Sequence, residues 1–154
     1  MTENTATWQI ARPEHHEELL SLLRDFYAEE QLEFHPAPIG PALETLLDDP
    51  GLGIVLILTQ GGRIGGYLIA TAGFSVEFGG HFALVDELYL APDFRGRGEW
   101  KNALAATEEW AAAIGASAVR LEVNHHNEKA AAIYLKYGFH DDQRSILSKP
   151  VNPT

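Results

Sequence analysis

A chain of 154 residues with 45% hydrophobic content is long enough to bury one ordinary globular core. A net charge of −11 argues against nucleic acid as a partner, because neutralising phosphates needs a basic face, and the absence of cysteine excludes disulfides, thiolate metal sites and a cysteine nucleophile. With no apolar run of membrane length and no basic-then-apolar leader, no membrane partner and a cytoplasmic location are expected, and the seven histidines lack a ligand spacing, so no metal is expected either.

In chain order, Trp8 to Arg12 alternates briefly as a first strand, and Pro13 suits the opening of a helix whose acids Glu14, Glu17 and Glu18 lie at its positive end. Leu19, Leu22, Leu23 and Phe26 give that helix a buried stripe. An acidic exit, Glu29 to His35, leads to Pro36-Ala37-Pro38, read as a stiff connector, and Pro41 starts a second helix that ends at Asp48-Asp49-Pro50-Gly51. Leu52 to Thr59 and Ile64 to Phe74 are apolar runs joined by Gly61-Gly62, a hairpin signal. After Gly79-Gly80 comes a strand over Phe82 to Leu90, then a helix from about Gly98 to Ile114, a strand over Ala118 to Val123 and a helix opened by Asn127. Phe139 begins a last strand expected to run to about Leu147. The pattern is α/β with a mixed sheet in a single domain over 1–148, followed by a tail over 149–154.

Two segments stand out. In Leu90-Ala91-Pro92-Asp93-Phe94-Arg95-Gly96-Arg97-Gly98 an apolar strand meets a glycine-rich turn and then a helix, which aims backbone N–H groups at an empty space where an anion can sit, with Arg95 and Arg97 flanking it. Some thirty residues on, Asn127-Glu128-Lys129-Ala130-Ala131-Ala132-Ile133-Tyr134-Leu135-Lys136-Tyr137-Gly138-Phe139 places Ala130, Ile133, Tyr134 and Tyr137 on one helix face. Charge is divided as well. Residues 1–94 hold fifteen acids against three bases, and residues 95–154 hold seven acids against eight bases. Such a split suits an anionic donor meeting a cationic acceptor, and equally a merely solubilising acidic surface.

Together, in this order and spacing, the two segments resemble the GCN5-related N-acetyltransferase superfamily. The first resembles its acyl-CoA pyrophosphate loop, Arg/Gln-x-x-Gly-x-Gly/Ala, and the second its general-acid helix. The resemblance implies the acyl-CoA N-acyltransferase fold, a mixed and mostly antiparallel central sheet flanked by helices. It also implies acetyl-CoA as co-substrate and transfer of acetyl to the primary amine of a small cationic molecule by direct attack. Arg95, Gly96, Arg97 and Gly98, with the amide of Trp100, would hold the pyrophosphate; the backbones of Leu88 and Leu90 would pair with the pantetheine arm; Asn127 would touch the CoA arm, although an N-cap role explains it as well.

Acyl transfer needs an acid for the thiolate and a base for the amine. Tyr134 resembles the acid, and otherwise reads as a core tyrosine. Glu87, in Leu84-Val85-Asp86-Glu87-Leu88-Tyr89-Leu90, is the best base, because apolar strand neighbours raise a carboxylate's pKa; its structural alternative is a partner for Arg120 or Arg144. Asp86 is second choice, brought to the same side if the strand carries a bulge. His125 and His126 are a third option. The first helix, its acidic exit and the Ser75–His81 loop would rim the acceptor site, and two copies could pair through their last strands.

The loop departs from the family at its end, where Trp100 stands in place of Gly or Ala and Glu99 in place of an aliphatic residue. Either Trp100 turns into the core with Glu99 out to solvent, or the indole stacks on adenine, or the donor site is plugged and the chain is a non-catalytic module. A protein N-acetyltransferase is the remaining alternative. Calorimetric titration with acetyl-CoA separates these: micromolar binding is expected, whereas binding that appears only in Trp100→Gly identifies a plugged site.

Overall fold

The computed structural model describes residues 5–152. They fall into two compact units, divided between Leu121 and Glu122. The first holds a five-stranded sheet whose spatial order follows the sequence: β1 (Thr7–Ile10), β2 (Gly53–Gln60), β3 (Arg63–Ser75), β4 (Gly80–Leu90) and β5 (Val119–Leu121). The first four pair antiparallel with their neighbours, and β5 joins β4 in parallel. The turn at Gly61-Gly62 folds β2 onto β3 so that Leu56 faces Leu68, and both strands are buried over most of their length, which is why they read as continuous apolar runs.

Helices α1 (His16–Glu29) and α2 (Pro36–Asp48) supply Leu19, Leu23 and Leu43 to a core that includes Val55, Ile57, Tyr67, Ile69 and Tyr89 from the sheet. Helix α3 (Glu99–Ala113) makes the crossover that the parallel β4–β5 pair requires, burying Ala103, Leu104, Thr107 and Ala111. In the second unit, α4 (Glu128–Tyr137) is followed by chain without regular structure to residue 152.

Two expectations are corrected. Pro36-Ala37-Pro38 is not a connector but the first turn of α2, which begins five residues before Pro41. First-turn N–H groups have no intrahelical partner, so prolines there cost no hydrogen bond and preset the helical φ. The strand expected from Phe139 to about Leu147 is not formed. Asp141 Oδ1 instead accepts from the Gln143 N–H at 2.7 Å, and Gln143 takes φ +58°, a turn that breaks the extended chain. Ile146 and Leu147 are left 67% and 92% exposed.

The turn into the glycine-rich loop rests on one close approach. A Cβ added at Gly65 would lie 2.3 Å from the ring of Phe94, itself only 3% exposed and covered by the guanidiniums of Arg63 and Arg97, each 5.2 Å from the ring centre. Gly65→Ala is expected to destabilise the fold by about 1–3 kcal/mol through overpacking, read as a lower thermal midpoint.

Candidate active site

Strand β4 carries one residue more than β3 needs. Ile69 pairs with Glu87 and Ala70 with Val85, leaving Asp86 as the extra residue of a β-bulge. The bulge resets the alternation, so Val85 and Glu87 no longer share a face. Glu87 joins Tyr67 and Tyr89 on the side of α1, and Oε1 accepts from the Tyr67 hydroxyl at 2.8 Å while Oε2 accepts from the Tyr27 hydroxyl of α1 at 2.9 Å. The partners of Glu87 are therefore two phenols, not the Arg120 left open by sequence, whose guanidinium lies over the rings of Phe78 and Phe82. Burial pushes the Glu87 carboxyl above its ordinary range, the two phenol bonds pull it back, and the Asp86 charge adds to the rise. Asp86 is exposed at the surface, and partial desolvation beside the strand raises its carboxyl as well.

The same stretch presents backbone. The Ala91 N–H donates to the Gly65 carbonyl at 2.8 Å, so in antiparallel alternation Tyr89 and Glu87 exchange ladder bonds with β3 while Leu88 and Leu90 point their polar groups the other way. On that edge the ladder to β5 covers only Ala83 to Val85 and stops before the bulge. The edge leads to Gly96 and Gly98, both at φ +77°, a left-handed conformation that favours glycine; Gly98 caps α3 and directs the first amides of the helix outward.

Neither loop arginine points freely at that cradle. Arg95 donates from Nε to the Leu90 carbonyl and from Nη2 to Glu29 Oε2, both at 2.8 Å, with its guanidinium 5.7 Å from the Tyr89 ring centre. Arg97 donates to Gln60 Oε1 at 3.0 Å. Glu99 is not turned out to solvent: it is 6% exposed on the buried stripe of α3 and accepts from Asn102 Nδ2 at 2.6 Å. Trp100 is half-buried, with Lys101 Nζ 5.6 Å from its ring centre. The residues that fit a pyrophosphate are thus backbone amides and the helix N-terminus, without a free guanidinium.

In the second unit, the Asn127 side chain caps α4 by accepting from the Ala130 N–H at 3.1 Å. At the other end Gly138 is left-handed, the Phe139 N–H donates to the Tyr134 carbonyl at 3.1 Å, and the rings of Tyr134 and Phe139 meet edge to face at 5.9 Å. This is a Schellman closure with its hydrophobic contact, and it explains why Gly-Phe follows Tyr134-Leu135-Lys136-Tyr137 at the end of the helix. Burial raises the Tyr134 phenol, which keeps it protonated.

Residues 14–139 match the family described as Acetyltransferase (GNAT) family. The chain belongs to that family. It is 27% identical over 89 residues to the uncharacterized N-acetyltransferase YhfO of Bacillus subtilis (strain 168), a match covering 58% of this chain and about 60% of the length of that curated relative. Among solved structures, the integron cassette protein HFX_CASS3 from the mobile metagenome of Cole Harbour Salt Marsh superposes with a TM-score of 0.82 at 26% identity, covering 96% of this chain and 91% of that one. An aminoglycoside acetyltransferase, meta-AAC0020, from an uncultured soil metagenomic sample gives 0.81 at 16% identity, covering 99% and 100% of the two chains. The domain is a GNAT-family acetyltransferase domain by fold and family match.

Sequence reasoning missed Tyr27 and Tyr67. Tyr67 read as one more apolar residue of a strand, and Tyr27 lies next to the helical stripe of Phe26; no local pattern links either to a carboxylate 60 and 20 residues away. The Glu87 cluster has a consequence for stability. A carboxyl raised in the folded state binds its proton more tightly there than when unfolded, so its contribution is present at low pH and lost as pH rises through the raised value. Glu87→Gln is expected to melt above the natural protein at pH 8, with the gap closing as pH falls into the ordinary carboxylate range.

Proposed function

We propose that this GNAT protein transfers acetyl from acetyl-CoA to the primary amine of a small cationic molecule by direct attack, with Glu87 as base and Tyr134 as acid. The observation that carries the reading is Glu87 itself, a carboxylate set on a bulged strand, held at both oxygens by phenols and raised in pKa. A base of that kind is matched to taking a proton from an amine near neutral pH. The amine nitrogen forms its bond to the acetyl carbonyl carbon, the carbon–sulfur bond breaks, the nitrogen's surplus proton goes to Glu87, and the thiolate takes its proton from the Tyr134 phenol. No covalent enzyme intermediate is needed.

The outward backbone of Leu88 and Leu90 suits the pantetheine arm, and the cradle of Gly96, Gly98 and the Trp100 amide suits the pyrophosphate. Arg95 and Arg97 support that cradle through Leu90, Glu29 and Gln60. Asn127 holds the start of the helix that carries Tyr134. A small-molecule acceptor is supported by the acidic first half of the chain and by likeness in fold to aminoglycoside acetyltransferases.

Glu87→Gln is expected to lower kcat/KM by about a hundred- to ten-thousand-fold, and in the natural protein kcat/KM should rise with pH through a limb above the ordinary carboxylate range. Tyr134→Phe should lower turnover with little change in acetyl-CoA affinity. Full turnover in either variant, followed as release of CoA thiol with candidate amines, removes that residue from the mechanism.

A further inference from the structure

The two phenols on Glu87 are not equivalent. Tyr67 is wholly buried on β3, so the side of the carboxylate at Oε1 is sealed. Tyr27 reaches Oε2 from α1 and is only half-buried, its ring fixed edge to face against Phe26 at 5.9 Å and Phe34 at 5.7 Å. A hydroxyl that donates its one proton to a carboxylate keeps lone pairs with which to accept another. The ring clamp holds the Tyr27 oxygen in place, with its proton committed to Glu87 and its lone pairs available.

We infer that Tyr27 is the relay between the acceptor amine and Glu87, and that Tyr67 is a positioning residue. The inference rests on the proposal that Glu87 is the base. When the amine nitrogen bonds to the acetyl carbon, its surplus proton passes to the Tyr27 oxygen while the Tyr27 proton passes to Glu87 Oε2. The phenol is restored in the same step, and Glu87 ends protonated. Tyr27 never becomes a free phenolate, which fits an environment where burial and the charges of Glu87 and Asp86 all hold the phenol protonated. The same hydrogen bond orients the amine, because an N–H directed at Tyr27 turns the nitrogen lone pair away towards the incoming carbonyl. The acceptor accordingly enters along α1.

Single-turnover kinetics of the full chain with acetyl-CoA and a reactive amine test this. The groups facing Glu87 are Tyr27 from α1, Tyr67 from β3 and Asp86 from β4. Removing either phenol takes away a bond that lowers the Glu87 pKa, so Tyr27→Phe and Tyr67→Phe should both move the pH limb upward. Only Tyr27→Phe should also drop the high-pH plateau, by about tenfold or more. In mixtures of light and heavy water, the natural protein should give a curved dependence of rate on deuterium content, for two protons in flight, and Tyr27→Phe a linear one. A Tyr27→Phe plateau within about twofold of the natural protein, or equal losses in the two variants, overturns the relay. A linear dependence in the natural protein overturns it even if the variant does not fold. Full activity in Glu87→Gln would sink the base assignment itself, an outcome distinct from a dead Glu87→Gln beside a fully active Tyr27→Phe.

Discussion

The bulge at Asp86 is the constraint on which the candidate site depends. One extra residue in β4 has three effects at once. It turns Glu87 towards the helices α1 and α2, it leaves Leu88 and Leu90 with their polar groups directed off the sheet, and it coincides with the end of the parallel ladder to β5. Without the bulge Glu87 would share a face with Val85, and the carboxylate would sit opposite its two phenols. A local fault in strand pairing thus separates a face carrying a buried carboxylate from an edge of outward-directed backbone over five residues.

The charge economy around that strand is unusual in its choice of partners. A half-buried carboxylate is most simply stabilised by a cation, yet a nearby guanidinium would lower its pKa. Phenols satisfy both oxygens while leaving burial and Asp86 to keep the pKa raised. The cations are used elsewhere. Arg95 links the Leu90 carbonyl, the Tyr89 ring and Glu29 at the end of α1, and so ties the glycine-rich loop to the helix that carries Tyr27. With side chains about half-exposed, the Arg95–Glu29 pair contributes little to stability, on the order of 0–1 kcal/mol; its value is in placement.

Glu99 and Trp100 mark where this GNAT chain differs from its family pattern. On α3 the stripe that faces inward begins at position 99, so a carboxylate there is carried into the interior and closed off by Asn102, while the indole at position 100 remains half-exposed. The helix N-terminus offsets part of the cost of that buried charge, since the first turn favours an anion. Under the proposed function the same end of the helix serves both an internal carboxylate and a pyrophosphate.

Much of this was legible in the sequence for local reasons. Apolar patterning placed all five strands and the α1, α3 and α4 helices, glycine marked the hairpin and the loop, and Asn127 and Gly138 marked the ends of the last helix, because caps and turns are decided by a few consecutive residues. The acidic candidate on β4 could also be named, since a carboxylate in an apolar strand needs a reason. Other features depended on the tertiary structure. A bulge is a mismatch between two strands and has no signature in one of them. The phenol clamp joins residues 20 and 60 positions apart, and the arginines of the loop are turned by Glu29 and Gln60, which only folding brings near. The chain by itself determined its elements, its family resemblance and the types of group available for chemistry; which oxygen faces which hydroxyl was left to the packing of α1 against the sheet, because that distance is set by the whole core and by no local run of residues.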